Sequence, residues 1–449
     1  MPEFLRLLSP QEARTLLLTN VRLSRREVER IETDASVDRI AAEDVLAPHP
    51  LPEFDRSTVD GYAVMAGDTY GASDSLPAYL RLAGEVPMGS APKSALAKGH
   101  CLLIHTGGMI PDGADAVVML EHAQVARGGN RPDFHEGVAA TAETVVAGSL
   151  GNGTAEIEVL KAVAVGENVI RIGEDVAAGQ VVIPRGTRLG PAEIGGLMAL
   201  GLTHLPVRPK PRVGLISSGD EVVPPDTQPD LGQVRDVNAH SLAAAISKWG
   251  GEPVLYGIVP DQPARLERTA WRALKECDCV VITAGSSASA RDQTANVINA
   301  LGTPGVLVHG VNTRPGKPTI LGVSSGKAVI GLPGNPVSAL VNAYLFVLPL
   351  IDALLGMAPD QPRPVVMARL ALNLASEAGR EDWWPVKLKR APVLPGAEDT
   401  REGNAGWVAE PIFGRSNLIF TLASADGLLR IPAEVTGFSA GAVAEVFLV

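Results

Sequence analysis

The sequence predicts an α/β multidomain chain: a doubly wound α/β domain, a helical linker region in two pieces, a β-rich domain between those pieces, and a small C-terminal β domain. Three observations carry this reading. From residue 211 onward, strand-like apolar runs alternate with helix-like segments, the pattern of parallel βαβ units. Residues 51–165 hold short apolar runs broken by Gly and Pro, a β-rich texture. Residues 365–449 again alternate like strands. A chain of 449 residues has room for about three domains.

Taken in order, residues 7–45 read helical, with Ser9 as cap, Pro10 at the first helical position and Glu12 three residues after the cap. At "HPLPEFDRSTVDGYAV" the texture changes, and "CLLIHTGG" and "DAVVMLEH" follow as strand candidates. Residues 127–155, rich in Gly, Ala and Thr, read as an exposed excursion. Helical patterns flank the β-rich stretch, which invites the idea that it is inserted into a helical domain formed by 1–50 and 166–210. The α/β domain, 211–358, reads "RVGLISSG", helix 238–251, "PVLYGIV", helix 263–276, "CVVITAG", helix 292–301, "VLVHGV", "AVIGLPG" and helix 336–355. "DALLGMAPDQPRP" is a linker into the terminal β domain, 359–449.

Composition narrows the function. A net charge of −11 argues against nonspecific binding to nucleic acid or an anionic membrane. Aromatics make up only 4% of the chain, too few for base-stacking platforms. Three cysteines, two of them in Cys277-Asp278-Cys279, form neither a disulfide framework nor a zinc pattern, and a reducing, cytoplasmic setting is expected. The first residues lack a signal-peptide core. The apolar stretch Ser338–Met357 contains Asn342, Pro349 and Asp352 and reads as a buried helix. The histidines show no H-x-x-x-H spacing, and no G-x-S-x-G elbow is present.

In a doubly wound sheet, ligands sit beyond the carboxyl ends of the strands. Three such ends are chemically rich. "SSGDE" offers Asp220 and Glu221, either surface acids or ligands for a divalent cation. "TAGSSASARDQT" opens a helix, so its amides suit a phosphate, while Asp292 reads as either helix cap or metal ligand. "GLPGNPVS" is a stiff strand-to-helix turn. There Asn335 suits the N-cap, Pro336 the first helical position, and the free amides an anion. Just before it, "NTRPGKPTILG" presents Arg314 and Lys317 on a short loop stiffened by prolines. Asp60-Gly61 and "HTGGMIPDGADAV" read as turns.

In this order the segments resemble the molybdopterin molybdenumtransferase family, which includes the E domain of gephyrin. The matching stretches are "PEFDRSTVDGYAV", "HTGGMIPDGADAVVMLEH", "GENVIRIGEDV", "GLISSGDEVV", "GQVRDVNAHSLAAAI", "GIVPDQP", "RPGKPTILG", "GLPGNPVSALV" and "SADGLLRIPAEVTGFSAGAVAEV". The resemblance implies a transferase of molybdenum cofactor biosynthesis that inserts molybdate into adenylylated molybdopterin and releases AMP, with Mg2+ as the usual cation. It also implies a homodimer, an inserted β domain, a molybdopterin-binding α/β domain and a C-terminal β-barrel-like domain.

By the same resemblance, Asp60 and Thr106 fall at acidic and Thr positions of the inserted domain, facing the partner subunit's site. Glu221 and Asp292 match the catalytic and metal-binding acids. Asp220, Gly285, Ser287, Arg314, Lys317, Pro333, Asn335, Pro336, Ser338, Arg380 and Ser416 match substrate-binding positions, Arg380 and Ser416 completing the molybdate pocket. Two departures stand out. Arg314 replaces a Lys of K-P-G-K-P, and G-G-x-S-x-G becomes Ala284-Gly285-Ser286-Ser287-Ala288-Ser289, adding a Cβ that would interfere if either position needs φ > 0 or close backbone approach to a ligand. That change motivates the alternative of a catalytically impaired paralogue acting as a molybdopterin carrier or scaffold. Molybdate and tungstate are not distinguished by the sequence.

Overall fold

The computed structural model describes residues 7–23, 28–126, 155–284, 288–357, 363–391 and 406–449. The chain forms two compact units: Met1–Glu43 with Arg185–Ile194 and His204–Val449, and Asp44–Pro184 with Gly195–Thr203. The excursion read over 127–155 falls almost wholly outside the described residues.

The first unit is organised by a six-stranded sheet. Four strands run parallel in the order Glu252–Val259, Arg212–Ser218, Cys279–Ala284 and Lys327–Pro333. Two more, Ile320–Ser324 and Pro304–His309, complete it antiparallel. The sheet is therefore mixed, where alternation alone suggested parallel strands throughout. The cause is a tight hairpin: Ser325 and Gly326 take φ of 53° and 80° and turn Ile320–Ser324 directly into Lys327–Pro333, as a two-residue hairpin loop requires.

Side chains of the central strands alternate between two cores. Val213, Leu215, Val281 and Ile330 face one, and Ile216, Val280, Ile282 and Val329 face the other. Burial on both faces explains why these strands read as continuous apolar runs.

The first helix is shorter than its pattern. The capping box forms as read, with Ser9 Oγ accepting from Glu12 N–H, but the helix covers only Pro10–Asn20. The chain then pairs Glu29–Glu32 with His204–Val207. Likewise 166–210 contains a single helix, Pro191–Ala199, and several short strands. Cross-chain strand pairing overrode a weak helical periodicity in both segments.

The apolar helix Pro336–Leu355 is long and apolar enough to cross a membrane, yet 72% of its most apolar window is buried inside the protein. Ala343–Val347 in its middle is a π-helical turn. Phe346 there is fully buried among the residues of the first core.

The C-terminal strands close on themselves. Glu381–Arg390 pairs with both Trp407–Pro411 and Gly427–Ile431. Val365–Leu370 and Val443–Leu448 complete the ring, a closed five-stranded barrel.

The second unit holds another six-stranded sheet, built on Gly61–Val64, Ala78–Val86, His100–Ile104, Ala116–Met119, Ala123–Val125 and Glu156–Val159. Burial pushes the Cys101 thiol up to about 12. Burial, with a smaller contribution from Cys101, pushes the Tyr62 phenol up to about 12 as well.

Two outcomes follow. Phe346→Ala should destabilise the first unit by about 3–5 kcal/mol, read from urea midpoints. Second, Cys101 and Tyr62 keep their protons in the fold at pH values where the unfolded chain releases them. Their stabilisation is complete below the ordinary thiol value of 9.0 and is lost as pH rises toward about 12. Urea midpoints measured from pH 8 to 11 should fall, and Cys101→Ala should flatten part of that slope.

Candidate functional site

Strand Lys327–Pro333 ends beside Ala284 of its neighbour, since Ala284 pairs with Pro333. The chain then turns through Gly334 and Asn335 into the helix. Asn335 occupies the cap position, but its side chain makes no capping hydrogen bond. Instead Asn335 Nδ2 donates to Ser416 Oγ at 3.0 Å. The N–H of Val337 donates to the Ser416 carbonyl at 3.0 Å, and that of Ala339 to the Asn335 carbonyl at 2.9 Å. Pro336 has no N–H. Among the described residues, the Ser338 N–H has no acceptor. The expectation of an amide-rich anion hole is thus corrected: Ser416 has taken the place of the Asn335 cap, and a single first-turn amide stays open.

The cationic loop is fastened to this helix. Asn342, fully buried, donates from Nδ2 to the Pro315 carbonyl at 3.1 Å and to the Ser338 carbonyl at 2.8 Å. Gly316 sits so close that an added Cβ would lie 1.6 Å from that nitrogen. The loop bearing Arg314 and Lys317 is therefore held against the helix that follows the proline turn.

Thr313–Arg314 also pairs in parallel with Glu381–Asp382 of the barrel. Asp382 is fully buried. Arg380 donates to it from Nε at 2.8 Å and from a terminal nitrogen at 3.4 Å, and Arg314 approaches it at 3.8 Å. The hydrogen bond to Asp382 holds the Arg380 guanidinium more firmly protonated than usual. Arg314 also lies over the Trp384 ring, 5.5 Å from its centre. Lys317 is exposed and, among the described residues, has no acidic partner.

The segments carrying the acids follow adjacent strands, because Arg212–Ser218 pairs with Cys279–Ala284. Asp220 and Glu221 are exposed. Asp220 Oδ1 accepts the Asp261 N–H at 3.1 Å, and Ser218 Oγ donates to Asp261 Oδ1 at 3.0 Å. Gly219, at φ +151°, leaves 2.6 Å between a hypothetical Cβ and Glu221 Oε2. Asp292 is exposed within helix Ala288–Ala300, one turn past its start, so it is not the N-cap that the sequence allowed. Gly285 and Ser287 lie outside the described residues. Among the described residues, no three His, Cys, Asp or Glu side chains group to hold a metal ion.

Beneath the acids runs a polar layer that sequence reasoning missed. Ser217 Oγ donates to the buried Asp236 at 2.6 Å, Asp236 accepts the Ala239 N–H at 3.1 Å, and Asn238 Nδ2 donates to the Gly334 carbonyl at 2.8 Å. Its one local signal was Asp236 and Asn238 in "RDVNAH", at the start of an apolar helix.

In the second unit, Asp60 and Thr106 do meet. Asp60 Oδ1 accepts from the Thr106 N–H at 2.7 Å and from Thr106 Oγ1 at 3.2 Å. Gly61 is required beside it, since a Cβ would lie 2.0 Å from the Val118 carbonyl oxygen.

Asp382→Asn removes the buried charge that anchors Arg380 and Arg314. Urea unfolding should show a loss below the about 3–5 kcal/mol typical of a broken, fully buried ion pair, because both guanidinium groups keep some water.

Three family models tile the chain: "MoeA N-terminal region (domain I and II)" over residues 8–201, "Probable molybdopterin binding domain" over 214–353 and "MoeA C-terminal region (domain IV)" over 367–449. The chain is 33% identical over 408 residues to molybdopterin molybdenumtransferase 2 of Mycobacterium tuberculosis, covering 90% of this chain and 91% of that one. It is 28% identical over 425 residues to molybdopterin molybdenumtransferase of Bacillus subtilis, covering 94% and 90%. The crystal structure of the molybdopterin biosynthesis moeA protein from Pyrococcus horikoshii OT3 matches with a TM-score of 0.79 at 30% identity, covering 99% of this chain and 100% of that one. With three domain models in family order and a relative 33% identical over nine-tenths of both chains, this chain belongs to the MoeA family.

Proposed function

We infer that the chain is a molybdopterin molybdenumtransferase: it inserts molybdate into adenylylated molybdopterin and releases AMP, a step of molybdenum cofactor biosynthesis. The names of its curated relatives support a transferase over a carrier. The observation that carries the finer reading is the charge held around the proline turn. Arg314, Lys317 and Arg380 bring three positive charges, and Asp382 offsets one through its contacts with both arginines. Glu377, 2.8 Å from Arg380, offsets a second, and Lys317 keeps its charge without an acidic partner among the described residues, ready for an oxoanion.

In this reading Lys317 is the principal anion contact, because no acid among the described residues competes for it. The Ser338 N–H and Ser416 hydroxyl add hydrogen bonds, while Pro333, Asn335 and Pro336 keep the turn stiff. Arg314 and Arg380, tethered to Asp382, supply field more than direct contact. The dithiolene sulfurs of the substrate replace oxygens of molybdate, and those oxygens leave as water. The phosphoanhydride joining pterin and AMP is hydrolysed. No side chain need act as nucleophile. The protein's task is to hold an oxoanion still beside the reacting sulfurs, which lowers the entropic part of the barrier.

Glu221 and Asp292 are the carboxylates that would hold Mg2+, with Asp220 and the loop of Gly285 and Ser287 serving the substrate. Two exposed acids without a third suit this ion, which usually binds through one or two carboxylates together with substrate phosphates. Once bound, Mg2+ would offset charge on the adenylate phosphates. In the same reading the protein is a cytoplasmic homodimer in which Asp60 and Thr106 act across the interface.

Lys317→Glu should lower molybdate-dependent AMP release by more than about 100-fold, with the melting temperature unchanged. The assay follows AMP from adenylylated molybdopterin, Mg2+ and molybdate. Turnover equal to wild type would remove this loop from the reaction.

A further inference from the structure

In the second unit, "HTGG" forms a four-residue turn. The His105 carbonyl accepts the Gly108 N–H at 2.8 Å, and Gly107 takes φ +82°, as the third residue of a type II turn does. Gly108 has no room for a side chain: a Cβ would lie 2.8 Å from both the His105 carbonyl oxygen and Ile104 Cγ1. Thr106 is the second residue of this turn, and its N–H is the donor that grips Asp60 at 2.7 Å. Whatever fixes the turn therefore fixes the Asp60 carboxylate.

The side chain preceding Thr106 does this. His105 Nε2 lies 2.8 Å from Glu85 Oε1, on strand Ala78–Val86. A carboxylate only accepts, so Nε2–H is the donor. Nδ1 then faces Asp60 Oδ1 at 3.9 Å, too far for a hydrogen bond but close enough to limit where the carboxylate can swing. The imidazole and Glu85 are both partly covered, their side chains 23% and 30% exposed, whereas Asp60 is 57% exposed. The anchor is sheltered and the group it steadies is presented outward.

We propose that His105, anchored on Glu85, is a positioning residue that holds Thr106 and through it the reactive carboxylate of Asp60. The inference rests on the reading of Asp60 and Thr106 given above. His105 touches no reacting atom. Its effect reaches the chemistry only through the rotamer of Asp60, so its loss should lower kcat and leave KM nearly unchanged. The magnitude follows from misplacing one group by a fraction of an ångström to an ångström, about 10- to 100-fold.

The test compares His105→Phe, His105→Gln and Glu85→Leu with wild type in steady-state AMP release and thermal melting, and solves the crystal structure of each. His105→Gln keeps a side-chain N–H within reach of Glu85 and should restore most of kcat. His105→Phe and Glu85→Leu should each lose about 10- to 100-fold in kcat at unchanged KM, and the double variant should lose no more than either alone. Their crystal structures should show Asp60 away from the Thr106 N–H. If His105→Phe and Glu85→Leu keep wild-type kcat, or if Asp60 stays in place in both, the positioning role is overturned while the transferase reading stands. A melting temperature lowered equally by Phe and Gln, with kcat falling in step, would make His105 merely structural and overturn the proposal too. Wild-type protein that releases no AMP would instead overturn the reading on which the proposal rests.

Discussion

The buried amide of Asn342 is the contact on which the arrangement of the first unit's site depends. One nitrogen serves two carbonyls, Pro315 in the cationic loop and Ser338 in the first turn of the helix. Without it, that loop and the turn after strand Lys327–Pro333 would share a sheet but have no fixed spacing. The demand is strict enough to dictate the neighbouring residue, since only glycine fits at position 316. Its φ of +106° carries the same preference. Asp382 does the corresponding work from the barrel side, with its buried carboxylate aligning Arg314 of strand Thr313–Arg314 and Arg380, just before strand Glu381–Arg390. Cations that would otherwise repel one another are thereby kept close.

Much of this was legible in the sequence. Apolar runs alternating with helical patterns gave the strands and helices from 211 to 355, and stiff prolines around Gly316 and Gly334 marked the two segments that face each other. The antiparallel edge was missed because a Ser-Gly hairpin turn is a weak signal beside the strong expectation of βαβ repetition. The helical readings of 21–45 and 166–190 failed for another reason. Those residues find strand partners far away in sequence, as Glu29–Glu32 does with His204–Val207, and no local pattern announces such a pairing.

Site residues divide along the same line. Arg314, Lys317, Ser338 and Ser416 were visible through motif and resemblance. Asp382, Asn342 and Asp236 were not, because each matters for what it meets rather than for its neighbours in the chain. Asn335 shows the limit most clearly. Its type and position argue for a helix cap, and the backbone does place it there. A hydroxyl about eighty residues later offers a better-placed partner, and the side chain turns to it. Local chemistry lists what a residue can do, and tertiary neighbours select among those options.

The π-helical turn at Ala343–Val347 has a consequence of its own. One additional residue in a helix rotates everything beyond it by about 100°. The stretch before the turn points Asn342 at the cationic loop, and the stretch after it, Leu348–Leu355, lays its apolar side chains into the core. A regular helix has a single angular phase and would have to compromise between those tasks. The π turn uncouples them, so the core can repack around the later half without turning the amide that sets the site.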